Sequence, residues 1–367
     1  MSRIGLNWSV FTATSTGAAR RAYELHRRMP GNLDFVAFVT GDFSRDWKRE
    51  LPGFSFVEVA ECRSAFHRIR EGCASFWRRR LKETGCSVWV TDTLPVPSGL
   101  HGFKTCLTVH DLRYLEDRSY VSLRRYLLLK WKMGSSLRNS NAVVAVSSWT
   151  GRLLTEHYSL PVSKVSVIPN AVDPVALNDR ECPGSSMDGP YVLSVGHLER
   201  RKNMETLVRA FGRIADSWSG SLVIVGRDQG SKPSIDREAR RAGVSSRLKI
   251  IQDLDYSSLA RLYRECEMVV CPSVYEGFGI TLLEGMAAGS PVIASDIPPH
   301  REVAGEAALY ITPLDDEALS AAMRRVLGDD DLRDAMARKG RERVACFSWD
   351  SSAEELAELY RRLLQSV

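Results

Sequence analysis

Two glutamates eight positions apart, Glu276 and Glu284, bracket a glycine-rich run, Tyr275-Glu276-Gly277-Phe278-Gly279-Ile280-Thr281-Leu282-Leu283-Glu284. A short apolar segment, Met268–Cys271, precedes it with the character of a buried strand, and helical spacing follows until Gly289-Ser290-Pro291. Gly277 and Gly279 let the backbone come close to a ligand. The amides of Phe278, Gly279, Ile280 and Thr281, at the start of a helix, suit a diphosphate. Carboxylates flanking an anion site repel the anion unless they bind hydroxyls, so one glutamate is assigned to a sugar and the other to a ribose. Taken singly, Glu276 reads as a solvated loop residue and Glu284 as an exposed helix residue. The complete succession of strand, glycine loop, helix and stop argues against that.

Other candidates also follow apolar runs. Arg201 and Lys202 lie between the run Tyr191–Val195 and a helical pattern, where their charge can meet a leaving diphosphate. Alone, they would be a solvated basic turn. His110 follows Cys106–Val109 and precedes Asp111, and a lone histidine is as often structural. Gly17, in Ser15-Thr16-Gly17, is the weakest signal, because many strand-to-helix turns carry one glycine.

The elements that must position these residues are short, continuous apolar runs alternating with helical patterns. In the first half they are 35–39, 88–90, 106–109, 142–146 and 165–168; in the second, 191–195, 222–225, 248–251, 268–271 and 292–294. Such runs suit strands buried on both faces of a parallel sheet, and two sets predict two doubly wound α/β domains. The expected boundaries are 1–173 for the first domain, 174–189 for a Pro/Gly/Ser-rich linker, 190–346 for the second domain, and 347–367 for a terminal helix crossing back to the first. Open sheets bind ligands at the carboxyl ends of their strands, so the ligand is expected in a cleft between the domains.

A chain of 367 residues accommodates two cores, and 44% hydrophobic with 26% charged residues is ordinary for a globular protein. Neither a secretory signal nor about 18 consecutive apolar residues is evident, and the eight cysteines are scattered without zinc spacing. The expectation is a soluble, cytoplasmic protein without a metal site. The net charge of +5 hides an asymmetry: residues 1–175 carry +10 and the remainder −5. Basic residues cluster at Arg68, Arg70, Arg78, Arg79, Arg80 and Lys82, and again at Arg124, Arg125, Lys130 and Lys132, with Phe66, Ile69, Phe76, Trp77, Leu81 and Trp131 interleaved. They read either as solvated helix faces over a core or as contacts to an acidic acceptor or the inner, anionic face of a membrane, the last through Arg78, Arg79 and Arg80. No nucleic-acid motif accompanies them.

The run from Glu276 to Glu284 resembles the Glu-x7-Glu signature of the retaining GT-B glycosyltransferases, glycosyltransferase family 4 (group 1). The likeness extends over nearly the whole chain. Val195–Asn203 is similar to the family's Gly-x4-Arg-Lys-Asn turn, Thr108–Leu112 to the strand end with the active-site histidine, and Ile168–Asp173 to the exit from the N-domain. Ser15–Arg20 resembles the first glycine loop, and Phe347–Asp350 precedes what resembles the terminal helix. His197, Arg200 and Gln252 depart from the family's usual Arg, Pro and Gly.

The resemblance implies a GT-B fold, two Rossmann-like domains facing across a cleft. It implies metal-independent, cofactor-free transfer of a hexose, with retention, from a nucleotide-sugar of GDP-mannose or UDP-hexose type to a saccharide or lipid-linked acceptor. Glu276 and the amides after it would hold the sugar, Glu284 the ribose, Arg201 and Lys202 the diphosphate, and His110 would act on the sugar from the N-domain. No second carboxylate is evident on the N-domain side, which favours the leaving phosphate taking the acceptor proton on the same face. A GT-B nucleotide-sugar epimerase and an inactive sugar-nucleotide-binding protein are the alternatives.

Overall fold

The computed structural model describes residues 3–9, 11, 17–41, 43–59, 73–92, 96–116, 122–178 and 187–366. The chain divides into two compact units, Met1–Asn170 with Trp349–Val367, and Ala171–Ser348. The first holds a parallel sheet of seven strands: β1 (Arg3–Asn7), β2 (Phe35–Val39), β3 (Phe54–Glu58), β4 (Cys86–Thr91), β5 (Lys104–Val109), β6 (Ala142–Ala145) and β7 (Val165–Val167). Their spatial order is β3-β2-β1-β4-β5-β6-β7. In the second unit, β8 (Tyr191–Val195), β9 (Ser221–Val225), β10 (Leu248–Ile251), β11 (Met268–Cys271), β12 (Val292–Ser295) and β13 (Ala308–Ile311) are also all parallel, in the order β10-β9-β8-β11-β12-β13.

Each sheet therefore reverses its winding once, between β1 and β4 and between β8 and β11. In a doubly wound sheet that reversal splays the outgoing loops apart at the strands' carboxyl ends and leaves a crevice there. Gly196 to Lys202 leave β8 and Pro272 to Gly279 leave β11, so the expected cations and the expected glycine loop fall at one switch point.

Each apolar run named from the sequence contributes to a strand. Three strands, β1, β3 and β13, are not among those runs. β1 contains Arg3 and Gly5, and its glycine is there for packing: a Cβ on Gly5 would lie 2.8 Å from Leu81 Cδ2. β3 and β13 are edge strands with half-buried residues.

The expected linker is corrected in part. The division falls after Asn170, and Pro174–Asn178 is a short helix of the second unit, with Leu177 buried and its carbonyl accepting from Arg264 Nη1 at 2.8 Å. Residues 179–186 lie outside the described residues. The terminal helix Trp349–Gln365 belongs to the first unit. There Ser352 Oγ donates to the Pro169 carbonyl at 3.1 Å, and Tyr360 Oη lies 3.2 Å from His26 Nε2. Among the described residues no helix is long and apolar enough to cross a membrane.

The helix Ala74–Glu83 carries the basic cluster at Arg78, Arg79 and Arg80. Trp77 and Leu81 are fully buried in the first core, Arg79 Nε pairs with Glu83 at 2.8 Å, and the Arg80 guanidinium lies over the Phe76 ring. Arg78 and Arg79 are exposed, so the burial agrees with a solvated basic face over a core, and Trp77 is not open to a membrane. Arg68, Arg70, Phe66 and Ile69 lie outside the described residues.

Candidate active site

In the second unit a single-turn 3₁₀ segment, Arg200–Lys202, follows β8 and ends at Asn203, which takes the left-handed conformation at φ 54°. Asparagine is among the few side chains that tolerate it. Its Nδ2 donates to the Pro272 carbonyl at 3.0 Å, and Val274 N donates to the Arg201 carbonyl at 2.9 Å. These bonds tie the turn after β8 to the loop after β11.

The tie brings three expected residues together. Lys202 Nζ lies 2.6 Å from Glu276 Oε1, and Arg201 Nη1 lies 2.7 Å from Oε2. Ser273 Oγ donates to Glu276 Oε1 at 2.8 Å, and Glu199 pairs with Arg201 Nη2 at 2.6 Å. Burial alone would raise the Glu276 carboxyl, but Lys202, Arg201 and then His300 override it and hold it far below the usual carboxylate range. The carboxylate is thus ionised and saturated with charge-assisted hydrogen bonds.

Gly279 starts the helix Ile280–Ala287 at φ 105°, a conformation that side chains resist, and a Cβ there would meet His300 Cδ2 at 3.2 Å. The first amides of a helix lack partners one turn back, and of these Leu282 N donates to the Gly279 carbonyl at 3.1 Å. Phe278 contributes its backbone only, because its ring is buried edge-on against Phe347. Thr281 Oγ1 lies 3.4 Å from Cys271 Sγ. Glu284, one turn further on, accepts from Tyr263 Oη at 2.9 Å, and Tyr263 is fully buried in the helix Tyr256–Glu265.

His300 was not anticipated. It is fully buried, its Nδ1 lies 2.9 Å from the Ser295 carbonyl, and its Nε2 has no hydrogen-bond partner. Burial lowers its pKa to about 4, so the ring is neutral, with Nδ1–H donating to the carbonyl and Nε2 bare beside Gly279.

In the first unit His110 leaves β5 next to Asp92, which leaves β4, with Nε2 3.5 Å from Asp92 Oδ1. The expectation of no carboxylate in this unit is therefore corrected. Asp92 is 9% exposed. Burial would raise its pKa, but His110, the Thr108 hydroxyl and Arg21 bring it below the ordinary value. Arg21 is itself buried, donates to the carbonyls of Ile168 and Pro169 and to Asn170 Oδ1, and is lowered by burial to about 10. A chemical residue directly after a buried strand marks His110 and Asp92 alike, but Thr91 separates Asp92 from the apolar run 88–90. Gly17 opens the helix Gly17–His26, exposed and with open space where a Cβ would be. Nothing in this structure requires glycine there, and Ser15 and Thr16 lie outside the described residues.

A family model described as glycosyl transferases group 1 matches residues 177–343, and one described as glycosyltransferase family 4 matches residues 15–175. The O-antigen chain mannosyltransferase RfbU of Salmonella typhimurium is 28% identical over 63% of this chain and 62% of its own length. The chain spans about half to two thirds of the length of the curated relatives it matches. Among solved structures, sucrose-phosphate synthase from Thermosynechococcus elongatus superposes with a TM-score of 0.78 at 22% identity, covering both chains in full. HepE of Anabaena, in complex with UDP and glucose, superposes with a TM-score of 0.77 at 14% identity, over 98% of this chain and 100% of that one. These likenesses carry the architecture of two doubly wound units, the GT-B fold.

Proposed function

The chain belongs to the group 1, family 4 type of glycosyltransferase, and we propose that it moves a hexose, with retention and without a metal ion, from a nucleotide-sugar of GDP-mannose or UDP-hexose type to a saccharide or lipid-linked acceptor. The observation that carries this reading is the Arg201–Lys202–Glu276 cluster, held at the switch point of the second sheet beside the glycine-started helix. The mannosyltransferase relative supports a hexose donor, and the neighbour solved with UDP and glucose supports a nucleotide-sugar.

Transfer breaks the bond between the anomeric carbon and the diphosphate oxygen and forms one to an acceptor hydroxyl oxygen. The hydroxyl proton leaves with the diphosphate. Negative charge grows on the diphosphate as the bond breaks, and Arg201, Lys202 and the amides at Ile280 and Thr281 are placed to stabilise it. Fixed donors of this kind cost no reorganisation during the reaction, which is how they replace a divalent ion. Released from the cations, Glu276 accepts from sugar hydroxyls, together with the backbone of Gly277, Phe278 and Gly279. Glu284 accepts from the ribose. His110, held by Asp92, acts on the sugar.

The test is a panel of nucleotide-sugars, with nucleotide release followed in the presence and absence of saccharide acceptors and of a chelator. Acceptor-dependent release that survives chelation supports the reading. Conversion of the sugar without release would replace it with epimerisation, and release that chelation abolishes would remove the metal-free part.

A further inference from the structure

Eight large apolar side chains stand exposed among the described residues, and four of them, Leu123, Leu127, Leu128 and Trp131, lie within nine residues of one helix, Leu123–Asn139, in the first unit. Trp131 is 66% exposed. The others, Val162, Val167, Val175 and Leu314, are scattered. Residues 123, 127 and 131 recur every four positions, so they stack on one stripe along the helix. The opposite side already holds the helix in place: Met133 and Leu137 are buried in the core, and Tyr126 and Leu129 pack against it. The outward leucines and tryptophan are therefore not needed to fix the helix, and a contiguous exposed apolar patch of this kind marks a binding surface.

The charge on the same helix identifies the partner. Its 17 residues contain Arg124, Arg125, Lys130, Lys132 and Arg138 and no aspartate or glutamate. Arg124 and Lys130 are exposed and share the outward arc with the apolar stripe. We propose that this helix docks the protein on an anionic lipid bilayer, lying in the interface with Leu123, Leu127 and Trp131 at the boundary between headgroups and acyl chains and its cations among the headgroup phosphates. Lysines and arginines with long aliphatic stems suit that depth, because the stem stays with the apolar residues while the charge reaches the phosphates. The centre of a protein interface is instead depleted of lysine, which argues against a protein partner. The surface differs from the Arg78, Arg79 and Arg80 cluster, whose helix turns its tryptophan into the core.

The experiment is co-sedimentation of the full chain with vesicles of phosphatidylcholine alone and of phosphatidylcholine doped with phosphatidylglycerol. It reads binding and not transfer, so its outcome is separate from that of the proposed activity. The wild type is expected to partition at least about tenfold more strongly onto the anionic vesicles, since each cation at such a surface is worth about fivefold. Arg124→Glu with Lys130→Glu removes the preference. Leu127→Ser with Trp131→Ser weakens binding by more than tenfold, while Arg78→Glu with Arg79→Glu leaves it unchanged. All four outward positions named are exposed, and an unaltered circular dichroism spectrum and Tm confirm that the variants fold. Equal binding to both vesicle types, binding insensitive to the helix variants, or a wild type that ignores vesicles and instead self-associates through this stripe would overturn the proposal.

Discussion

Lys202 Nζ and Glu276 Oε1 lie 2.6 Å apart, so one of the two cations proposed to hold a diphosphate is already neutralised by a carboxylate, and Arg201 is engaged by the same group. An incoming diphosphate must therefore draw both cations away from Glu276. Glu276→Gln keeps the shape and removes the competitor. The expected result by calorimetry is that the free nucleoside diphosphate binds about tenfold more tightly, the equivalent of about 1.4 kcal/mol, while transfer becomes much slower. Leaving Lys202 without a carboxylate, and Arg201 with Glu199 alone, also lowers stability by about 3 kcal/mol, and added nucleotide should restore the Tm of the variant more than that of the wild type. Equal nucleotide affinity in the two proteins would show that Glu276 and the diphosphate do not share the cations.

Arg201→Ala and Lys202→Ala each remove a fixed charge partner of the leaving group. Each is expected to lower transfer by about 2–4 kcal/mol of transition-state stabilisation, a loss of tens to several hundredfold in kcat/KM. Steady-state rates with and without a chelator are the measurement. A double variant that retains full activity would mean that something else holds the diphosphate.

The ribose hydroxyl proposed as the partner of Glu284 is present before and during the reaction, so loss of that contact should weaken ground state and transition state together. Glu284→Ala is expected to raise the KM of the nucleotide-sugar about tenfold or more with a smaller change in kcat. Tyr263→Phe, which removes only the hydrogen bond orienting that carboxylate, should shift KM the same way by less. Unchanged KM in Glu284→Ala would sink the ribose assignment.

The ten apolar runs were legible because strands buried on both faces must be continuously apolar, whereas β1 and β3 hide for separate reasons. β1 lies at the centre of its sheet but starts with Arg3, which pairs with Asp34 at 2.8 Å at the strand's edge, and carries Gly5 because Leu81 leaves no space for a side chain. β3, at a sheet edge, is interrupted by Ser55 and closed by Glu58, whereas β13, Ala308–Ile311, is wholly apolar and its composition does not set it apart from the ten runs. The site was legible where residue type and strand position coincide, as at Arg201, Lys202, Glu276 and Glu284. What the sequence could not display is pairing: nothing in the spacing of positions 201, 202 and 276 says that these side chains meet. His300 looks like any histidine in a proline-rich turn until its burial and bare Nε2 are seen.

His110 Nε2 and Asp92 Oδ1 lie 3.5 Å apart at the ends of β5 and β4, and the proposed reaction gives the histidine a part at the sugar. Asp92 acts through the histidine, as a positioning residue. Asp92→Asn is expected to lower kcat by about tenfold or more with little change in the KM of the nucleotide-sugar, because it disturbs the orientation of the ring and not the binding of the donor. Free nucleotide affinity, set in the second unit, should be unaltered. A variant with the wild-type kcat would assign Asp92 a purely structural part.

Acid should destabilise the protein in a window fixed by two buried histidines. His26 is fully enclosed, with Nδ1 2.7 Å from the Ala22 carbonyl and Nε2 3.2 Å from Tyr360 Oη, and burial lowers its pKa to about 4 despite the Ala22 carbonyl and Asp92; Arg21 lowers it further. His300 is lowered to about 4 by burial, with Glu276 and the Ser295 carbonyl opposing and Lys202 assisting. In the unfolded chain both return to about 6.5. Between these values the unfolded state binds protons that the folded state refuses, so the histidines' part of the stability is full above about pH 7, falls as pH drops through 6.5, and is spent below about 4, where the depressed carboxyl of Glu276 carries the further loss. Each histidine contributes a loss of about 3 kcal/mol over that range, at 1.36 kcal/mol per pH unit. The measurement is urea unfolding at a series of pH values for the wild type, His26→Gln and His300→Gln. The glutamine variants start less stable at pH 7, but each is expected to lose about 3 kcal/mol less between pH 7 and 4. Equal slopes for all three proteins would place the acid sensitivity elsewhere.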